Sequence, residues 1–328
     1  MVLWGVAAVL AGFTLVRLTG SERGTPLVQI MAFTPYTAPI ALLAAVAAAI
    51  TDAVGPWLVC ILAWAALSAV VVPRLLASRP QGRPGATLRV MTANILYDRG
   101  DMAALAKQVK IDDVDVLAVQ ELTTGALDAL DAAGIDGLLP FRVTHPARHG
   151  HGSALFSRHP LTPADGVQPG LARQHPCGML QAGATVHVPG AGPVHVESAH
   201  PCAPRPGHTR CWARNLAAQP PAGGPVPQIL LGDFNATLDH GPLRRLLRTG
   251  YRDAAAARGR GLAPTWPFQR IRGQRTVPWV TLDHVLADRR IGIGDVGTRT
   301  VPGSDHRAVI AELHLAADTA PPTQGTQE

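Results

Sequence analysis

The 328-residue chain is long enough for one large domain or two modest ones, and 47% of it is hydrophobic. Its net charge of +6 is unevenly placed: Arg17, Arg23, Arg74, Arg79 and Arg83, against only Glu22 and Asp52, precede residue 85, which leaves 24 basic and 21 acidic side chains beyond it. So mild a balance excludes nucleic-acid binding argued from charge alone.

Three apolar runs come first. Residues 2–18 carry one charge, while residues 27–50 and 53–73 carry none. Runs of about 20 apolar residues match the hydrocarbon thickness of a bilayer at the helical rise, so the pattern predicts three membrane helices. Pro35 and Pro39 kink the second or delay its start. A cleaved signal peptide would carry a basic start, and two further spans would not follow it. Residues 1–77 are thus expected to form a transmembrane region.

Residues 78–86 contain Pro and Gly that cannot continue a helix and predict a linker. A soluble domain is expected over 87–315, a plausible single-core length. The Pro- and Thr-rich residues 316–328 are expected to be a disordered tail.

Three spans put the two chain ends on opposite sides of a membrane. Arg17 and Arg23, then Arg74, Arg79 and Arg83, fall on one side, which by the positive-inside rule is the cytoplasm, together with the soluble domain. A basic leader ahead of Met1 would reverse that orientation. Cysteine gives an opposing signal. Cys202 and Cys211 are close enough in sequence to bridge, with Cys177 left over, and disulfides imply an oxidising exterior. Reduced core cysteines are the plainer reading.

Within the soluble domain, extended runs alternate with helical ones. Residues 87–94 (TLRVMTAN) read as a strand, 102–110 as a helix and 114–122 (VDVLAVQEL) as a strand. Strands follow at 151–157, 179–188, 194–200 and 228–235, with a helix at 208–219, and residues 281–288 and 306–315 close the set. Some strands follow one another directly and others are joined by helices, which fits two packed sheets with helices outside.

The polar residues collect at strand ends. Asn94, Glu121 and His200 end three of the runs, Asp233 and Asn235 end ILLGDFN, and Asp283 and the pair Asp305-His306 stand at the starts of the last two. In an extended chain residues i and i+2 point the same way, so Asp233 and Asn235 would converge on one point. An ordinary turn is the alternative, since Gly, Asp and Asn favour turns. Together these residues supply what phosphate-ester hydrolysis needs: hard oxygen ligands for Mg²⁺, a base near the attacking water and donors around the phosphoryl oxygens.

The words TAN, VQE, GDFNA, LDHVL and SDH, in this order and spacing over residues 87–315, resemble the endonuclease/exonuclease/phosphatase superfamily, which includes DNases, abasic-site endonucleases, inositol polyphosphate phosphatases and neutral sphingomyelinases. The three apolar runs ahead of the domain, with AHPCAP (199–204) and PTWP (264–267), resemble the membrane-anchored VanJ-like teicoplanin-resistance proteins of actinobacteria. The resemblance implies a four-layer α/β/β/α sandwich of the DNase I type. It implies Glu121 and Asp305 as ligands of Mg²⁺, or of Mn²⁺ in its place, with Asn94 as a further ligand or the partner of one. Asp233 would orient or deprotonate the attacking water, Asn235 would hold a phosphate oxygen, and His306, oriented by Asp283, would contact the phosphate or transfer a proton. His200 would face it across the scissile group.

Other residues are weaker candidates. Arg173 and Arg158 are possible phosphate contacts, with surface arginine as the plainer reading. His284 is sent to the other face by strand alternation. Asp239 and His240 read as turn residues, and His145, His149, His151 and His159 as solvated loop residues. Glu197 either orients His200 or is a satisfied strand residue, and Trp266 and Trp279 either form a substrate lip at a membrane surface or pack in a loop.

The implied activity is that of a membrane-anchored, Mg²⁺-dependent phosphoesterase. Its substrate would be a lipid-linked or cell-envelope phosphate of the undecaprenyl type, with glycopeptide tolerance as the phenotype. That substrate would place the catalytic domain outside the cytoplasm, against the positive-inside count. A metal-dependent nuclease, a sphingomyelinase-like phosphodiesterase and a non-catalytic binding module are the alternatives, with nucleic acid disfavoured by the mild charge.

Overall fold

The computed structural model describes residues 1–78, 85–148, 150–164, 178–268, 270–271, 274–275 and 279–317. Most of the expected linker and tail, together with His149, Arg173 and Cys177, lie outside the described residues.

Strands β1 (Thr87–Asn94) and β2 (Val116–Gln120) pair in parallel, which requires a crossover connection. Helix α5 (Met102–Ile111) supplies it, started by Asp101, whose carboxylate accepts from Ala104 N at 2.9 Å. Its Met102, Leu105, Ala106 and Val109 recur at helical spacing and are buried. β3 (Phe141–His145), β4 (Ser153–Ser157), β13 (Gly292–Thr300) and β14 (Arg307–His314) complete a six-stranded sheet in the order β13-β14-β1-β2-β4-β3.

The second sheet runs β5-β6-β7-β8-β12-β9. Its members are β5 (Leu161–Pro163), β6 (Gly183–Val186), β7 (Val194–Ala199), β8 (Gln228–Asp233), β9 (Tyr251–Asp253) and β12 (Asp283–Asp288). β7 and β8 are parallel, joined through the helix Thr209–Ala217. A short ribbon, β10 (Arg270–Ile271) with β11 (Gln274–Arg275), stands apart.

Strand alternation divides the apolar residues into layers. Val90, Val116, Val196, Ile229, Leu231 and Val285 fill the space between the sheets. Met91, Leu117 and Val119 face outward against α5 and α6 (Thr124–Ala132) through Leu105, Val109 and Leu130. On the opposite outer face Leu230 and Leu286 meet Trp212, Leu216, Leu243 and Leu246 of the flanking helices. The result is helices, sheet, sheet, helices.

The N-terminal region is built in the inverse sense. Helices α1 (Val2–Thr19), α3 (Thr34–Ile50) and α4 (Val54–Val71) meet through Ala7, Leu10, Ala41, Ala45, Cys60 and Ala63. Their large apolar side chains point outward instead, with Val9 72%, Leu43 69% and Leu62 67% exposed. Small residues at helix contacts and large ones outside suit a lipid surround. Two helices, Val2–Thr19 and Val54–Leu75, are long and apolar enough to cross a membrane.

The expected second span, 27–50, is not one helix. Leu27–Met31 forms a separate short helix, α2, and the 17-residue α3 restarts at Thr34 with Pro35 in its first turn, where a missing N–H costs nothing. Val28 of α2 joins the cluster around Trp212.

A buried clasp joins this region to the two-sheet sandwich. Arg17 Nε donates to Asp239 Oδ1 at 2.6 Å, and Arg74 donates to both Asp239 oxygens at 2.8 and 2.6 Å. Burial works to raise the Asp239 carboxyl, but the two guanidiniums outweigh it and hold it below its usual range. His240 Nε2 donates to Val28 O at 2.8 Å, and Gly241 N donates to Glu22. Asp239 and His240 do lie in a turn, but a buried one that forms the docking point for α1, α2 and the stretch after α4.

Candidate active site

Pairing register brings the polar strand ends to one mouth between the sheets. In the first sheet Asn94 lies opposite Gln120 in the parallel pair, so Glu121 follows at the same level. In the second sheet Ala199 lies opposite Gly232, which sets His200 beside Asp233. β12 runs antiparallel to β8 and places Asp283 directly across from Asp233. Asp305 and His306 enter just before β14 beside β1.

Gly232 in GDFN is dictated by this packing. A Cβ there would lie 1.8 Å from Ala199 O, inside the β7–β8 pairing, and only glycine permits that backbone approach.

Asn94 Nδ2 donates to Glu121 Oε1 and to Asp233 Oδ2, both at 3.1 Å, while its Oδ1 accepts from Leu96 N at 3.0 Å. Its amide thus holds two carboxylates while its oxygen accepts one backbone N–H, which makes Asn94 a partner of Glu121 and Asp233. His200 Nε2 lies 3.7 Å and His306 Nε2 3.6 Å from Asp233 Oδ2, so the two rings flank one carboxylate oxygen. His306 Nδ1 donates to Asp283 Oδ2 at 2.8 Å.

Asn235 N donates to Asp233 Oδ1 at 2.8 Å, and Asn235 has φ 48°. Asp233 and Asn235 converge through a side-chain-closed turn at the strand end, and not through strand alternation. Asn235 Nδ2 donates to Pro201 O at 3.0 Å. Glu121 is likewise left-handed at φ 62°. Non-glycine residues hold that conformation only where the surrounding structure imposes it, commonly at functional sites.

Burial and neighbouring charge divide the titrating groups. Burial pushes Glu121 up to about 7, with Asp233 and Asp305 adding to the rise against the Asn94 hydrogen bond. Burial also raises Asp233. Burial drives His200 down to about 4, so it is neutral. Burial opposes a charge on His306 too, but Asp283 and Asp233 override it and push the ring up to about 10. One histidine is neutral at neutral pH and the other cationic.

Several buried oxygens lack a hydrogen-bond partner among the described residues: Glu121 Oε2, Asp305 Oδ1 and Asp283 Oδ1. Orphaned carboxylate oxygens at one mouth fit a hard divalent cation, and Glu121 and Asp305 both line the cleft. Asp233, Asp283 and His306 also offer ligand atoms within 4.8 Å of one another, although His306 Nδ1 is already committed to Asp283.

Gln181 enters the site without a sequence signal. Gln181 Oε1 accepts from His200 N at 2.9 Å, and its amide donates to Glu197 at 2.6 Å, so Glu197 supports His200 through Gln181. Trp266 Nε1 donates to Asp305 Oδ2 at 3.2 Å, which turns one tryptophan of the expected lip toward the site. His151, half-buried on its loop, also lines the cleft. Arg158 is engaged by Asp113 and Asp115 and is no phosphate contact. His284 is buried on Asp253 and Ala236 O, away from the cleft. Cys202 is a free, buried thiol, as the plainer reading had it, whereas Cys211 is disulfide-bonded and not reduced, so the two do not bridge each other.

A two-sheet sandwich whose mouth gathers the four carboxylates, His200, His306 and two asparagines is the apparatus of a metal-dependent phosphoric ester hydrolase. The chain belongs to the endonuclease/exonuclease/phosphatase family, whose profile matches residues 91–306. Solved structures agree on the fold. An endonuclease/exonuclease/phosphatase from Beutenbergia cavernae DSM 12333 is 20% identical, with TM-score 0.51, over 71% of this chain and 73% of that one. Truncated Caenorhabditis elegans TDP2 is 17% identical, with TM-score 0.52, over 70% and 97%. The human Nocturnin catalytic domain with a bound sulfate anion is 19% identical, with TM-score 0.50, over 74% and 99%. No curated protein is significantly similar in sequence.

Proposed function

We propose that the protein is a membrane-anchored, Mg²⁺-dependent phosphoesterase that hydrolyses a lipid-linked or cell-envelope phosphate. The observation that carries this reading is the inside-out helical bundle clasped directly onto the turn that follows Asp233 and Asn235. An enzyme fixed in this way acts at a raised effective concentration on substrates that share its membrane.

Glu121 and Asp305 would hold the cation, with Asn94 fixing Glu121. When bound, it supplies Lewis-acid neutralisation of the phosphoryl oxygens. Asp233 orients the attacking water and accepts its proton. His306, cationic at neutral pH, keeps a proton on Nε2 for a phosphoryl or leaving-group oxygen, and Asp283 fixes its ring. Neutral His200 stands on the other side of Asp233, and Asn235 borders the phosphate.

Three apolar helices in the membrane and a catalytic domain outside the cytoplasm complete the proposal. The disulfide at Cys211 supports an oxidising compartment. Arg17 and Arg74, two of the charges that favour a cytoplasmic domain, are buried against Asp239 and are not free to face lipid headgroups. An undecaprenyl-type carrier is the proposed substrate and glycopeptide tolerance the proposed phenotype, as for the VanJ-like proteins that the sequence resembles.

The test is phosphate release from undecaprenyl diphosphate by the full-length protein with Mg²⁺, beside a plasmid-nicking assay, with His306→Ala as the blank in both. Lipid turnover without nicking supports the reading. Nicking without lipid turnover replaces it with a nuclease.

A further inference from the structure

We propose that the segment Gln29–Phe33 is the wall of the catalytic cleft that reads the hydrocarbon chain of the substrate. The site then takes an amphiphilic phosphate, with its headgroup at Asp233 and His306 and its chain along Ala32, Phe33 and Trp266 toward the bilayer. This inference rests on the lipid-substrate reading above and adds the residues that would enforce it.

The cleft has a volume of about 690 Å³, and Gln29, Ala32 and Phe33 line it together with Glu121, Asp233 and His306. That is the size of pocket that encloses a ligand. The N-terminal region thus forms part of the site and is more than a tether beside it.

Three contacts hold this wall in place. His240 Nε2 binds Val28 O at 2.8 Å, Gln29 Nε2 donates to Pro204 O, and the Arg17–Asp239–Arg74 clasp fixes the helices on either side. Gln29 therefore ties α2 to the loop that leads away from His200.

The wall continues into the bundle surface. Phe33 is 40% exposed, and α3 begins at the next residue. The outward face of α3 carries Ile40, Leu43 and Val46, all exposed. Across the mouth, Trp266 is 37% exposed, and its ring centroid lies 6.5 Å from that of His306. Tyr36 OH donates to Trp279 O at 2.7 Å, which joins the start of α3 to the catalytic domain beyond the cleft. Tyr and Trp favour the membrane–water interface. An apolar path therefore runs from the catalytic histidine past aromatic residues to a helix face suited to lipid.

Apolar contact would make the site sensitive to chain length, since each buried methylene strengthens binding about fourfold. The experiment measures kcat/KM of the full-length protein in lipid nanodiscs for a 55-carbon and a 10-carbon prenyl diphosphate. Ala32→Trp obstructs the wall without adding charge, and Phe33→Glu makes it polar. The long-to-short preference should fall at least tenfold in either variant that folds, as judged by its melting transition. If wild type hydrolyses both substrates and neither folded variant changes the ratio, this inference is overturned while the lipid reading stands. If wild type hydrolyses the short substrate but not the long one, the lipid reading fails and the inference fails with it.

Discussion

Asp233 and Asp283 stand directly opposite each other in the antiparallel pairing of β8 and β12, an arrangement in which two carboxylates repel. His306 makes it tolerable by bonding Asp283 through Nδ1 at 2.8 Å and presenting Nε2 to Asp233 at 3.6 Å. The same two carboxylates hold the proton on His306.

Asp283 should therefore be required through His306. Asp283→Asn removes the charge that fixes and protonates the ring, and His306→Ala removes the ring itself. Each should lower kcat by roughly 10²–10⁴-fold, the usual scale for a positioned acid or base. Steady-state kinetics check this, with a retained melting transition showing that the domain still folds. Wild-type rates in either variant would remove these residues from the chemistry.

Activity should show an acid limb near pH 7 and a basic limb near pH 10. Glu121, raised to about 7, is protonated below that pH and then cannot bind a cation. His306, raised to about 10, loses its proton above that pH. Because Mg²⁺ and the proton compete for Glu121, more Mg²⁺ should move the acid limb to lower pH and leave the basic limb in place. Excess EDTA should abolish activity throughout. A pH–rate profile at two Mg²⁺ concentrations checks both statements.

Stability should show the same linkage. The folded-state pKa of Glu121 lies above its unfolded value, so its contribution to metal-free stability is fully present below about pH 4.5 and is lost as pH rises through about 7. Mg²⁺ should accordingly raise the melting temperature more at pH 8 than at pH 5.5. Thermal shift with and without Mg²⁺ at the two pH values is the measurement.

The clasp is a buried ion network, and removing one partner of such a network costs about 3–5 kcal/mol because the remaining charge is left unpaired. Asp239→Ala strands both Arg17 and Arg74 and should destabilise the protein on that scale, as measured by a chaotrope titration in detergent. A loss below about 1 kcal/mol, the value of an exposed pair, would contradict the burial described.

Much of the site was legible because strand ends are where a polar side chain can leave a buried sheet. TLRVMTAN runs as β1 to Asn94, and the run to Glu121 ends one residue beyond β2. What sequence could not provide was contact between distant segments. Nothing near Asp239 signals Arg17 or Arg74, which are 222 and 165 residues away. Pro35 did signal the late start of α3, but nothing in the apolar run 27–50 sends Val28 to the Trp212 cluster, because that residue is as suited to a protein core as to lipid. Gln181 was invisible for the same reason, since its partners His200, Glu197 and Gln219 gather only once β6 and β7 pair. The convergence of Asp233 and Asn235 is visible in the sequence, but its cause is the turn hydrogen bond and not the strand.

The central claim is a division of labour in which Glu121 and Asp305 hold the cation while Asp233 and His306 serve water and phosphate. Anomalous scattering from crystals soaked in Mn²⁺ tests it most directly. The account predicts one peak with Glu121 and Asp305 among its ligands. A peak ligated by Asp233, Asp283 and His306 would contradict it.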